Sequence, residues 1–391
     1  MAKILKIKQF NGTDWIEYIL NNESGNNELN IQNGAGNGSV QTKSEEVDAT
    51  GEYSIAFGGY TENHPEQKTE ANGRNAFAAG GSVVANADNS AAFNRLTSSL
   101  QYGCFAAGGG TTAGMTEKEF NSFVEIKAKT DPDHYKIDPA TGEHYVLFDG
   151  YTGRYGYKRY ETYATAFGEK SKALGRASFA TGLNNTTSET ARYSFVTGSN
   201  NKVGYDQNGK VADVYSMSAF GDGNTVGAYF ATVFGNENKN YGKSSSVVGW
   251  KNTNTGEMSL VIGATNNNKA RYSLISGQNN NISGDYNFAT GYSNTISKNY
   301  SATIGTGLTV ESEMQVAVGR YNESMTGYYP FVVGVGKWNA KKTALTAKDN
   351  GTVQVYTAPI EENDVVRLKE LNAVSNLLVY ATDEDINALW A

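Results

Sequence analysis

Cysteine, histidine and proline are scarce in this chain, and each shortage closes off a class of protein. With one cysteine, Cys104, in 391 residues, no disulfide framework or paired-cysteine zinc site can form within the chain. Cys104 lies in the run Gly103-Cys-Phe-Ala-Ala-Gly108, where sister runs carry serine or alanine. It is expected as a small packed residue. The three histidines, His64, His134 and His144, fit no Ser/His/Asp or metal-ligand spacing. Asp131, Asp133, Asp138 and Glu143 share one stretch without the spacing of a calcium loop, and read as a solvated turn region. No catalytic residue, metal or cofactor is expected. Only five prolines are present, which suits continuously paired sheet. Apolar runs of membrane-spanning length are lacking. Met1 to Phe10 alternates lysine with apolar residues and is no secretory signal. The C-terminal region lacks the strand series of an anchoring barrel. These absences lead to the expectation of no membrane insertion and of assembly in a cytoplasm. A formal net charge of −7 disfavours bulk affinity for nucleic acid.

Glycine, by contrast, is abundant at 44 residues, and its placement is periodic. Gly221, Gly235, Gly249, Gly263, Gly277, Gly291, Gly305 and Gly319 follow one another at intervals of fourteen. Gly168, Gly182 and Gly198 precede them and Gly334 follows, at fourteen to sixteen apart within each group. A short fixed period means one unit stacked on copies of itself. Before each glycine stands a run such as Tyr163-Ala-Thr-Ala-Phe-Gly168 or Ser259-Leu-Val-Ile-Gly263. These are short, β-branched or aromatic, and read as strands. Small or branched residues stand two places before the glycine (Ala166, Val196, Val261), and larger ones at one and three places (Phe167, Leu260, Ile262). Both faces are therefore largely apolar, which predicts burial on both faces. Asparagine recurs three places after the glycine, from Asn185 to Asn294, and is expected to stack from coil to coil. Each repeat is thus two strands, the second half-wet, joined by two tight turns. The periodic glycines are expected as positive-φ turn residues. A coil this thin cannot bury both faces of its first strand alone, so a partner copy is expected to cover one.

The Ser-x-Ala-x-Gly-x-x-Asn/Ser runs resemble the head repeats of trimeric autotransporter adhesins of the YadA type, over residues 51–114 and 163–340. That resemblance implies an all-β solenoid: a left-handed parallel β-roll with fourteen-residue coils, wound as an intertwined homotrimer. This chain departs from the family where asparagine replaces its usual serine. A second, shorter resemblance lies at Pro359-Ile-Glu-Glu-Asn-Asp-Val-Val-Arg-Leu-Lys-Glu-Leu371, which is similar to the junction before helical stems in bacteriophage fibre proteins.

Six segments follow. Residues 1–50 read as an N-terminal cap or attachment region, with a hairpin at Asn11-Gly12 and a loose lead-in from 21 to 50. A first roll segment spans 51–114, where Asn94 replaces one periodic glycine. An aromatic-rich insertion spans 115–162, opening with a capping box at Thr116-Glu-Lys-Glu119 and a helix through Phe123. The second roll segment spans 163–343, with its own insertion from Lys202 to Tyr215 around a turn at Asp206-Gln-Asn-Gly209. A hairpin or junction covers 344–362, and short C-terminal helices cover 363–391, the first capped by Asp364. Insertions in a solenoid sit on its surface, where binding commonly resides. Tyr145, Phe148, Tyr151, Arg154, Tyr155, Tyr157 and Tyr160 are therefore the candidate receptor-binding residues. The competing reading makes these rings the insertion's own small core. Together the resemblances imply a virion fibre, on a phage tail or head, that binds a host surface glycan. It would assemble in the host cytoplasm beside other virion proteins. The alternatives are a polysaccharide-processing spike enzyme or a spacer with no ligand.

Overall fold

The computed structural model describes residues 5–10, 15–20, 31–59, 67–148, 151–154, 162–325, 327–356 and 371–374. Within it the chain winds into an all-β parallel solenoid with coils of about fourteen residues. Each regular coil contributes one five-residue strand and one two-residue strand, such as Leu260–Ala264 and Asn267–Asn268. Five-residue strands pair in parallel with glycine opposite glycine, as in Gly249↔Gly263↔Gly277. The shorter strands form their own 15-stranded sheet. At about 4.8 Å per step, that makes a stack roughly 70 Å long.

Alternation decides which side chains enter the coil. Two places before the glycine, Ala56, Ala166, Val196, Val261 and Ile275 are fully buried. Neighbours at one and three places point outward, and stay partly exposed in the single chain. Ile304 is 49% exposed, Phe234 44% and Phe195 39%. The expectation of burial on both faces therefore fails within one chain, because a fourteen-residue coil has only one interior. Cys104 is buried among small residues, and burial pushes its thiol up to about 12, so it is unreactive.

Periodic glycines do not occupy the corners. Each is the fourth residue of its strand, with φ between 95° and 143° from Gly58 to Gly319. The corners lie two residues later and five residues earlier, in the left-handed region, and carry other residues: Asn184 (54°), Lys251 (53°), Tyr193 (54°) and Met258 (50°). What demands glycine in the strand is proximity. A Cβ on Gly263 would sit 1.9 Å from the carbonyl oxygen of Gly277 one coil on. Asn94, which replaces one glycine, keeps the register with Gly80 and Gly108 at φ 85°.

The roll begins earlier than its glycines suggest. Val40–Thr42 pairs in parallel with Ile55–Gly59, and Val47–Ala49 pairs with Thr69–Ala71. Val47 and Ala49 are fully buried. Part of the supposed lead-in is thus a coil. Its interior position is held by Gln41, whose Nε2 donates to Val47 O (2.6 Å) and whose Oε1 accepts from Ala49 N (2.9 Å). Leu5–Phe10 pairs antiparallel with Trp15–Leu20. At the other end, Phe331–Val335, Thr343–Ala347 and Val353–Val355 form antiparallel pairs that close the long-strand sheet. Residues 371–374 are helical. The expected cap at Asp364 and the last helix lie outside the described residues.

Candidate functional site

Two excursions leave the roll and meet on its flank. The first opens at Thr116, whose side chain caps Glu119 N while Glu119 reaches back to Thr116 N, a reciprocal capping box. The helix runs Glu117–Lys127, a turn longer than its aromatic pattern suggests. It packs on an antiparallel sheet of Tyr135–Ile137, His144–Phe148 and Tyr151–Arg154. Their shared core is Met115, Phe120, Phe123, Val124, Tyr135 and Val146, together with Leu174 from the roll itself.

Polar contacts fix this domain to the roll. Ser122 Oγ donates to Glu189 Oε1 at 3.0 Å. Lys127 Nζ meets Asp213 at 2.9 Å and lies 5.6 Å from the Tyr135 ring centroid. Asp213 belongs to the second excursion, so the two insertions, read separately from the sequence, form one lateral knob. Burial raises the Glu189 carboxyl above its usual range. His134 hydrogen-bonds Asp131 (2.8 Å) and holds its carboxyl low, while His144 meets Glu125 (3.3 Å). Asp138 Oδ1 accepts from Ala140 N and Thr141 N, a turn role.

Of the candidate receptor-binding residues, Tyr145, Phe148, Tyr151 and Arg154 stand on one hairpin, with Tyr145 opposite Arg154 and Phe148 opposite Tyr151. Tyr145 is half-buried. Tyr155, Tyr157 and Tyr160 lie outside the described residues. The small core draws its rings from Phe120, Phe123 and Tyr135 instead.

The outward face of the long strands is a second candidate surface. A continuous ladder of phenylalanines runs along it from Phe57 to Phe234, with successive ring centroids 4.5–6.3 Å apart. Beyond it the same positions hold Val248, Leu260, Ile262 and Ile304. Most coils offer one bulky and one small outward residue, as in Phe179 with Thr181, Ser218 with Phe220, and Ala302 with Ile304.

A groove of about 310 Å³ lies where the second excursion overhangs the short-strand sheet, lined in part by Lys202, Lys239, Tyr205 and Tyr241. Its lysines were legible four places after the glycines, but the overhang was not. Among the described residues, no cluster of three histidine, cysteine or acidic side chains could hold a metal. No helix among them is long and apolar enough to cross a membrane.

No protein-family model matches the chain, and no curated protein matches it in sequence. The fold defines its class: an elongated parallel β-solenoid carrying a lateral knob.

Proposed function

We propose that this solenoid is a homotrimeric fibre of a phage particle, carried on tail or head beside other virion proteins, and that it attaches to a host surface glycan. The observation that supports it most is the exposed apolar face of the long strands. A face of this length, carrying a bulky apolar residue in coil after coil, is unusual on a monomer. Its alternation of bulky and small residues suits interdigitation with a second copy. Three chains related by a closed symmetry axis would cover that face and leave the knobs outermost. Three knobs on one rigid stem would raise weak binding through avidity.

Light scattering on the purified protein should give three chains; a stably folded monomer overturns the assembly. Immunogold labelling of the particles should place the protein on a projecting fibre, and labelling absent from particles overturns the virion role. Incubation with host capsular polysaccharide should leave polymer length unchanged, whereas shortening would favour a spike enzyme.

A further inference from the structure

The short-strand sheet faces away from the apolar surface, and its outward column has a regular chemistry. Lys172, Thr186, Lys202, Thr225, Lys239 and Thr253 occupy successive coils in register. Lysines therefore recur every second coil, roughly 10 Å apart along the stack. Their side chains are exposed, and Lys202 and Lys239 form no ion pair with another described residue. In a chain with net charge −7, three such lysines in one file are a local exception.

The hairpin Tyr205–Val211 overhangs this file and turns part of it into the groove. Gly227 permits the overhang, since a Cβ there would lie 2.1 Å from the carbonyl oxygen of Tyr205 and 2.9 Å from the Tyr241 ring. The one acid in the lining, Asp206, is engaged in its own turn: its Oδ1 accepts from Asn208 N and Lys210 N, each at 2.9 Å. Burial pushes the Tyr205 phenol up to about 12, so it remains a neutral hydroxyl. The groove thus joins two cations, two aromatic rings and two threonine hydroxyls, with one carboxylate, Asp206, hydrogen-bonded into its own turn.

We infer that this groove binds an acidic polysaccharide laid along the stack, with carboxylates on Lys202 and Lys239 and sugar faces against Tyr205 and Tyr241. Two coils span about the length of a disaccharide, so one carboxylate per disaccharide would match the lysine file. Aromatic rings take the apolar face of a sugar while the threonine hydroxyls meet its polar edge. This sharpens the attachment reading by naming a ligand class and moving part of the contact from the aromatic hairpin to the roll.

The test is calorimetric titration of the intact protein with hyaluronan hexasaccharide, which carries one carboxylate per disaccharide, beside neutral chitohexaose. The acidic probe should bind, and the neutral one should bind at least tenfold more weakly. The double substitution Lys202→Gln with Lys239→Gln should weaken the acidic probe at least tenfold, while Lys298→Gln, on an exposed lysine in a distant coil, should not. All three lysines are exposed, so the variants should keep the parent's melting temperature. Absence of acidic-probe binding, equal binding of chitohexaose, or an unaltered double variant overturns the inference. Labelling of the fibre on particles is read separately, so a failed titration would leave the fibre role standing.

Discussion

One inward column, three residues past each strand glycine, holds different chemistry at the two ends of the roll. Val83, Thr97, Thr111 and Ser171 fill it in the earlier coils, and asparagine fills it from Asn185 to Asn294. Thr97 Oγ1 donates to Phe93 O in its own coil (3.1 Å), and the Thr111 hydroxyl is buried without a partner. Ser171 bridges coils, donating to Gly182 O and accepting from Asn185 N, as Thr69 does with Gly80 O and Val83 N at the start of the roll. Each asparagine does more. Asn266 Nδ2 donates to Asn252 Oδ1, Ile262 O and Gly277 O, while its Oδ1 accepts from the backbone and side chain of Asn280. A second file, Asn240, Asn254 and Asn268, is buried in the same section and linked at 2.9 and 2.7 Å. The early coils rely mainly on backbone pairing around a core rich in alanine, with single hydroxyl bridges such as that of Thr69. Later ones add a polar spine that ties three coils through every residue. Fully satisfied polar networks of this kind fix register, because a slipped coil would strand buried donors.

The largest expected effect comes from breaking what both sections share. Gly263→Val places a Cβ 1.9 Å from Gly277 O at a φ of 115°. The coils must part, and the loss should exceed about 4 kcal/mol, read as loss of the cooperative thermal transition by circular dichroism. Asn94→Gly, at the equivalent place in the early section, should leave the melting temperature nearly unchanged, since its strand already accommodates φ 85°.

Next comes the difference between the sections. Asn266→Ala strands the Asn280 N–H and deprives Gly277 O of its side-chain donor. At about 1–3 kcal/mol for an unsatisfied buried group, the expected cost is about 2–4 kcal/mol in denaturant unfolding. Thr97→Ala should cost under about 1 kcal/mol, since its hydroxyl bonds only within its own coil. Equal losses would mean that the asparagine file is no spine.

Carrying the spine into the earlier section should have a smaller, opposite effect. Ser171→Asn would set an Oδ1 before Asn185 N and an Nδ2 beside Phe167 O and Gly182 O, the arrangement each later coil already has. A gain of about 0.5–1.5 kcal/mol is expected, and a loss would mean the alanine-lined coils are too narrow for the larger side chain.

The periodic glycines and asparagines were legible because each answers a demand repeated in every coil. The duty of the glycine column is not legible: a periodic glycine suggests a corner, and only the carbonyl of the next coil shows why a strand needs it. Asn185 to Asn294 read as a ladder of turn residues stacked from coil to coil, but the fourteen-residue period alone does not reveal that these amides are buried. The stretch 40–50 does not show itself as roll, because Val40, Gln41 and Val47 carry no glycine signal. At the candidate sites, the capping box at Thr116 was local and readable. The meeting of Lys127 with Asp213 and the overhang of Tyr205 on Lys239 are products of stacking, which places residues far apart in sequence on one flank.

The smallest expected effect lies where the knob meets the first coils of the spine. Glu189 is 5% exposed, and burial raises its carboxyl, with Glu119 adding to the rise and Ser122 opposing it. A raised folded value means that the fold favours the protonated form. Below the ordinary carboxylate range both states are protonated and nothing is lost. As pH rises through that range the unfolded chain ionises first, and stability falls until the folded carboxyl also ionises. At neutral pH, Glu189 therefore carries a desolvation cost that the Ser122 hydrogen bond only partly offsets. Glu189→Gln keeps an oxygen for Ser122 Oγ and removes the charge. It should raise the melting temperature at pH 7 by a degree or two, and the difference should vanish near pH 4. A variant less stable than the parent at pH 7 would show that the ionised carboxylate strengthens the seam between knob and roll.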